Sequence, residues 1–370
     1  MLDKKNKPFN KKRIIIIISG SEMENNILSI SQQEVDNAFF SACKVGDLDK
    51  IRSLVKLYPP LKLNLFKRFF CFVFKHKKPI SLNILASQGR GLIIAIKGNH
   101  FELIKYFLTS NELFTKIDIN NNEDLMLRVA SEIGNMEIID YLLTSEDLTS
   151  HANISAKNDS ALRLACGCGH LEVVKYLLTS IKLKKHADIH AFNDSALIIA
   201  CINGKTEIVK FLLSDSELKE HANIGAKNNL ALSWACANGH FDIVKFILTE
   251  PSLGKHANIN ATENEGFKLA CSYGWNDIVE FMLTSPELKQ RISPNAENDY
   301  GFMVACKENK INLIKHYIFD LNIEMTQNIK DFLRQKNNKE VEEFFQLRNL
   351  NKSLKNKLRS NPIIKEIIKI

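Results

Sequence analysis

No stretch of this chain stays apolar for the roughly 20 residues that a membrane-spanning helix requires, so no transmembrane helix is expected. Glycine and proline are scarce, 15 and 8 in 370 residues, which excludes collagenous and linker-like chains. Eight cysteines over this length are too sparse for a disulfide scaffold. Hydrophobic residues at 45% and charged residues at 25% exclude global disorder and fit a soluble, intracellular protein. The net charge of +8 is not spread along the chain. Residues 1–13 carry +5, residues 59–80 carry +6 and residues 349–370 carry +5, which leaves −8 on everything else. An acidic body with three basic appendages gives no reason to expect a nucleic-acid partner.

The N-terminus imitates a signal peptide without completing one. Lys11, Lys12 and Arg13 precede Ile14 to Ile18, but five residues fall short of the usual 7–15-residue apolar core. Residues 1–22 therefore read as a disordered basic arm, or as leader to a true start at Met23.

What the chain has in abundance is a repeat. Ala95, Ala130, Ala165, Ala200, Ala235, Ala270 and Ala305 follow one another at steps of 35 residues. The unit around Ala165 reads NDSALRLACGCGHLEVVKYLLTS and that around Ala235 reads NNLALSWACANGHFDIVKFILTE. Leu162, Ala165 and Cys166 mark one face of a helix over about 160–167, and Leu171, Val173, Val174, Leu177 and Leu178 the buried side of a second. Gly169 separates them, with Gly134, Gly204, Gly239 and Gly274 in register. Helices this short are marginal alone and gain their burial by stacking on copies of themselves.

These residues resemble the ankyrin repeat. Its G-H-x-x-V-V-x-x-L-L signature is met by Gly169, His170, Val173, Val174, Leu177 and Leu178, while SALRLAC replaces the usual T-P-L-H-x-A-A and HANISA the usual G-A-D-V-N-A turn. The resemblance covers about residues 33–345. It implies an all-α solenoid of paired antiparallel helices and a non-enzymatic surface for protein partners. The long form carrying TS-x-x-L is similar to arrays of amoeba-associated bacteria and giant viruses, and so implies a cytoplasmic protein or a host-directed effector secreted without a cleavable signal peptide. A monomer is expected.

Units here are longer than the usual 33 residues. Five residues are gained after the second helix and three are lost from the finger, which should therefore project less. The gained TSEDLTS stretch places Leu113, Leu148, Leu183, Leu218, Leu253 and Leu288 at the same 35-residue step. Ser285-Pro286-Glu287 has the form of an N-cap, first helical residue and first-turn acid, so a short extra helical turn pinned by the leucine is expected. Leu183→Ala should then cost what a core truncation costs. Six segments follow: the arm 1–22, an N-terminal capping unit 23–58, a Phe/Lys-rich insertion 59–81, seven units over 82–325, a degenerate cap 326–348 and a basic tail 349–370. Ser31 and Glu34 have capping-box spacing at the start of the capping unit.

Candidate chemistry reduces to packing. Cys43, Cys166, Cys201, Cys236, Cys271 and Cys306 share one register, and units stacked about 8–10 Å apart hold them too far apart for disulfides. Cys166, Cys168 and His170 form C-x-C-x-H, but residues two apart on a helix diverge and no fourth ligand is near; no metal and no cofactor are expected. His151, His186, His221 and His256 should each hydrogen-bond locally at the turn into the finger. Asp124, Asp159, Asp194, Asn229, Asn264 and Asp299 precede the first helices and read as N-caps. No phosphate loop, metalloprotease motif or nucleophile elbow occurs.

Partner-binding residues are expected where the resemblance places them, on the concave face of finger tips and first helices. These are Lys157, Asn158, Arg163, Phe192, Ile198, Asn228, Ser233, Asn238, Glu263, Lys268, Tyr273 and Met303; Cys168 shares the face, and Trp234, in register with Leu164, reads as core. An alternative function is a peripheral membrane adaptor docked through Phe69, Phe70 and Phe72, which sit among cations in the insertion. Their helical spacing with Phe66 and Phe74 equally suits packing over the first unit.

Overall fold

A computed structural model describes residues 32–57, 89–111, 113, 119–293 and 296–360. The basic arm, the insertion with Phe69, Phe70 and Phe72, Ser31 and the last ten residues lie outside the described residues. The chain divides into two units, Met1–Asn121 and Asn122–Ile370. Among the described residues every regular element is helical.

The first unit holds two helix pairs, α1 (Gln32–Val45) with α2 (Leu48–Leu57) and α3 (Arg90–Lys97) with α4 (Phe101–Thr109). The second begins with α5 (Asn121–Ile133) and α6 (Met136–Thr144). Then come α7 (Ala156–Cys168) with α8 (Leu171–Thr179), α9 (Ala191–Ile202) with α10 (Thr206–Ser214), and α11 (Ala226–Ala237) with α12 (Phe241–Thr249). The pairs α13 (Ala261–Tyr273) with α14 (Asn276–Thr284) and α15 (Ala296–Lys307) with α16 (Ile311–Lys315) follow, the last prolonged by a π turn at His316–Asp320. Two further helices close the chain, α17 (Gln327–Lys336) and α18 (Lys339–Ser360).

The 35-residue step is the step of the core. Ala42, Ala95 and each later alanine in register are fully buried, as are Val174, Val209, Val244 and Val279 on the second helices. The alanine stands in the last turn of the first helix, where the chain folds back. The Ala165 carbonyl accepts from the His170 N–H at 3.0 Å, and Ala200 and Ala235 accept likewise from Lys205 and His240. That bond and a left-handed residue between, such as Gly169 at φ +93°, make the Schellman turn. Asn99 and Asn309 take the left-handed role at φ +57° and +52°.

Neighbouring units lock through the residue after that glycine. The His170 ring donates from Nε2 to the Glu132 carbonyl (2.9 Å), and His240 to that of Ile202 (3.0 Å). The Trp275 indole N–H makes the same bond to Ala237 (2.9 Å). Each ring covers the preceding unit's glycine so closely that a Cβ on Gly134 would stand 2.4 Å from His170 Nδ1. These glycines are thus fixed twice, by backbone conformation and by the ring above.

The segment after the second helix differs from expectation. Leu148 N–H donates to the Ser145 carbonyl (3.2 Å), and the same single turn recurs at Leu183, Leu218, Leu253 and Leu288. No helix forms there, and Ser285, Pro286 and Glu287 start none. One turn is too short to repay helix nucleation. The leucines divide: Leu113, Leu148, Leu253 and Leu288 are buried, but Leu183 and Leu218 are half-buried. Leu183→Ala should therefore cost about 1–2 kcal/mol, against about 2–5 kcal/mol for the fully buried Leu177→Ala. Urea unfolding of the two variants checks the ranking, and equal losses would contradict it. The histidines behave as expected: His151, His186, His221 and His256 donate from Nε2 to the carbonyls of Ser145, Ser180, Asp215 and Glu250 at 2.9–3.0 Å.

The cysteine register is buried throughout, with free thiols, while Cys168 is exposed. In the α5 unit this register holds Ser131, fully buried with a hydroxyl that has no hydrogen-bond partner. A stranded buried hydroxyl costs about 1–3 kcal/mol, so Ser131→Cys should raise the urea midpoint. A fall would show that the hydroxyl is satisfied.

At the C-terminus Thr326 caps α17, its Oγ1 accepting from the Ile329 N–H at 3.2 Å. The boundary expected at 348 between cap and tail is not a structural one, since α18 runs unbroken to Ser360.

Candidate functional site

Five first helices of the second unit open with one left-handed turn, which the sequence reading did not foresee. Lys157, Asn158 and Asp159 have φ of +51° to +55°, and the pattern recurs at Asn122–Asp124, Phe192–Asp194, Lys227–Asn229 and Thr262–Asn264. Such angles are costly for residues other than glycine, least so for Asn and Asp. Bonds to the next unit offset the cost. Asp124, Asp159, Asp194 and Asn229 each accept, through Oδ1, from a backbone N–H 29 residues on, at 2.7–3.0 Å. The expectation that these residues cap their own helices is therefore corrected: each ties its turn to the finger of the following unit. The side chain at this position satisfies a backbone donor either way; the left-handed turn redirects it.

Arginine closes the turn from the other side. Arg163 donates from Nε to the Asn158 carbonyl (3.1 Å) and from Nη2 to that of Lys157 (2.8 Å). Arg128, one repeat earlier, does the same to Glu123 (3.1 Å) and Asn122 (2.9 Å). Arg163 thus carries its charge to the surface while its donors are engaged by backbone.

The turns present their first residues outward. Phe192 is 55% exposed and lies between two cations, with Arg163 Cζ 5.5 Å and Lys227 Nζ 4.9 Å from its ring centroid. Lys157 reaches Glu123 (2.9 Å). Further along, Lys268 reaches Glu263 (3.7 Å) and lies 5.2 Å from the Tyr300 ring centroid. The structure therefore brings Arg163 and Phe192 together and joins Lys227 to them. Lys227 was overlooked, though it falls at the same repeat position as Lys157 and Phe192, so the Lys–Phe–Lys column was visible in the 35-residue register.

The other expected residues distribute unevenly. Asn158, Asn228, Asn238, Glu263 and Tyr273 are exposed. Ile198 and Ser233, at 5% and 7% exposure, are corrected to buried: both are short enough to sink between packed first helices, where the longer Arg163 and Lys268 remain half-buried. Met303 is half-buried and lines an open depression with Asn328, Asp331, Phe332 and Gln335. Trp234, expected in the core, is 42% exposed, because its side chain is too large for the position that Leu164 half-fills.

Nucleophilic chemistry is disfavoured at the six buried thiols. Burial pushes Cys43, Cys271 and Cys306 up to about 12 and Cys166, Cys201 and Cys236 above that, so thiolates are not accessible near neutral pH. Among the described residues no three His, Cys, Asp or Glu side chains converge as a metal site; Cys166 points into the core and Cys168 out of it. No described helix is long and apolar enough to cross a membrane.

A family model of ankyrin repeats in three copies matches residues 92–193 and again 181–263. The comparison with curated proteins found no match.

Proposed function

We propose, from a chain that carries ankyrin repeats over residues 92–263, that the protein is a non-enzymatic scaffold whose partner is an acidic protein segment. Ankyrin repeats are in general protein–protein interaction modules, and a repeat array expresses its specificity through side chains that its core does not use. The partner seats on the left-handed turns and first helices, around Phe192. The observation that carries this reading is the exposed phenylalanine between Arg163 and Lys227. Aromatic and arginine side chains dominate the energy of protein interfaces, and the two cations, neither engaged by a carboxylate in that stack, favour negative charge on the partner. Lys157, Lys268, Tyr273 and Trp234 extend the face.

Selection of a displayed random-peptide library on the full chain tests the reading. Acidic sequences should be enriched, and Phe192→Ser with Lys227→Glu should weaken their binding at least tenfold. Lys175→Glu, on the second helix α8, should leave it within twofold. Binding that survives the first pair of changes, or enrichment of basic sequences, contradicts the reading. The membrane alternative rests on residues 59–81, outside the described residues.

A further inference from the structure

The last helix has two unlike faces. Val341 and Phe345 are buried, with Phe345 edge-on to Phe302, and Arg348 donates from Nη1 to the Ile323 carbonyl. At 100° per residue, the row Glu343, Leu347, Leu350, Leu354 and Lys357 falls on the opposite side. Its three leucines are 52%, 56% and 49% exposed. The spacing of four, three, four and three is that of a heptad seam.

We infer that this seam pairs with the same helix of a second copy, antiparallel, to form a twofold dimer. The row is its own complement. Leu350 is its centre, Glu343 stands seven residues before it and Lys357 seven after. An antiparallel twofold places each Glu343 opposite the Lys357 of the other copy and the leucines opposite leucines, as an isologous interface requires. The wider charge pattern agrees: Glu340, Glu342 and Glu343 precede Leu350, and Lys352, Lys355, Lys357 and Arg359 follow it with no acid among them. Pairing in parallel would set like charges together. An anionic lipid surface is the poorer fit, because Glu340 and Glu343 border the stripe at its N-terminal end and oppose such a surface. The interface is small, so association should be weak, with a dissociation constant of roughly 10–100 µM. The dimer departs from the monomer expected from the repeats alone, and it is independent of the Phe192 face.

Sedimentation equilibrium of the full chain up to about 300 µM decides. The apparent mass should rise from 42.1 kDa towards twice that value. Leu350→Glu and Glu343→Lys should each weaken association at least tenfold, and Glu343→Lys with Lys357→Glu should restore it to within threefold. Leu350 is exposed, so thermal melting of the Leu350→Glu variant should match that of the original protein and exclude misfolding as the cause. A monomer mass throughout, or a double charge reversal no better than the single one, overturns the inference. Flotation of monomeric protein with phosphatidylserine vesicles, lost in Leu350→Glu, would assign the stripe to lipid and overturn it equally.

Discussion

Phe302→Ala is expected to lower the unfolding free energy by about 3–5 kcal/mol, the cost of removing a large aromatic side chain from a site that cannot collapse. Phe302 is fully buried and sits edge-on to both Tyr317 and Phe345, with ring centroids 5.6 and 5.8 Å away. Tyr317 in turn meets Cys271 through its hydroxyl at 3.4 Å, and Phe345 belongs to α18. One ring therefore joins the last repeat pair to the terminal helix. The loss should be local before it is global, as in other stacked-repeat arrays. Hydrogen exchange should show α17 and α18 losing protection first, while α7 to α12 keep theirs. A stability change below about 1 kcal/mol, or uniform loss of protection, would contradict the docking of the cap through this ring.

Asp159→Ala carries the second large expected effect. Asp159 is almost wholly buried and its Oδ1 accepts from the Asp188 N–H at 3.0 Å. Truncation strands that donor at a cost of about 1–3 kcal/mol and releases the strain of three left-handed residues that the bond helps to hold. Asp159→Asn should keep the bond, because Asn229 fills the same place and accepts from the Asn258 N–H at 2.7 Å. The pH dependence has a definite sign. Burial, as the largest cause, raises the Asp159 carboxyl above its ordinary value, and the bond from Asp188 lowers it in part. A carboxyl raised in the folded state binds protons more readily there than when unfolded, so the original protein gains stability as pH falls from the folded value towards the ordinary carboxylate value. Asp159→Asn has no such gain. At neutral pH it should match or exceed the original, and the gap should close on acidification. Urea titrations at several pH values check this; a gap that closes on raising the pH would be the wrong sign.

The core was legible because a period leaves few choices. Once Ala165, Gly169 and Val174 recur every 35 residues, burial of one copy implies burial of all, and Ala42 to Ala305 and Val174 to Val279 follow suit. The left-handed turns were not legible for a chemical reason. Asn and Asp are favoured both as N-caps and at positive φ, so NDS at 158–160 supports either reading until the partner of Asp159 is seen to lie 29 residues on. Surface positions failed in the same way at Ile198, Ser233 and Trp234, where depth is decided by side-chain length against neighbours rather than by register. The Lys157–Phe192–Lys227 column is the opposite case: the register held it, and only comparison of single positions across adjacent units brings it out.

Hydrogen exchange of the full chain with a saturating acidic peptide from the library selection tests the central claim most directly, because it reports where the partner sits independently of any substitution. Protection should rise at the turns and first helices spanning 156–163, 191–198 and 226–233, and stay unchanged in α8, α10 and α12. Protection gained along those second helices instead, with the Phe192 turn unaffected, would contradict the claim that this face binds the partner.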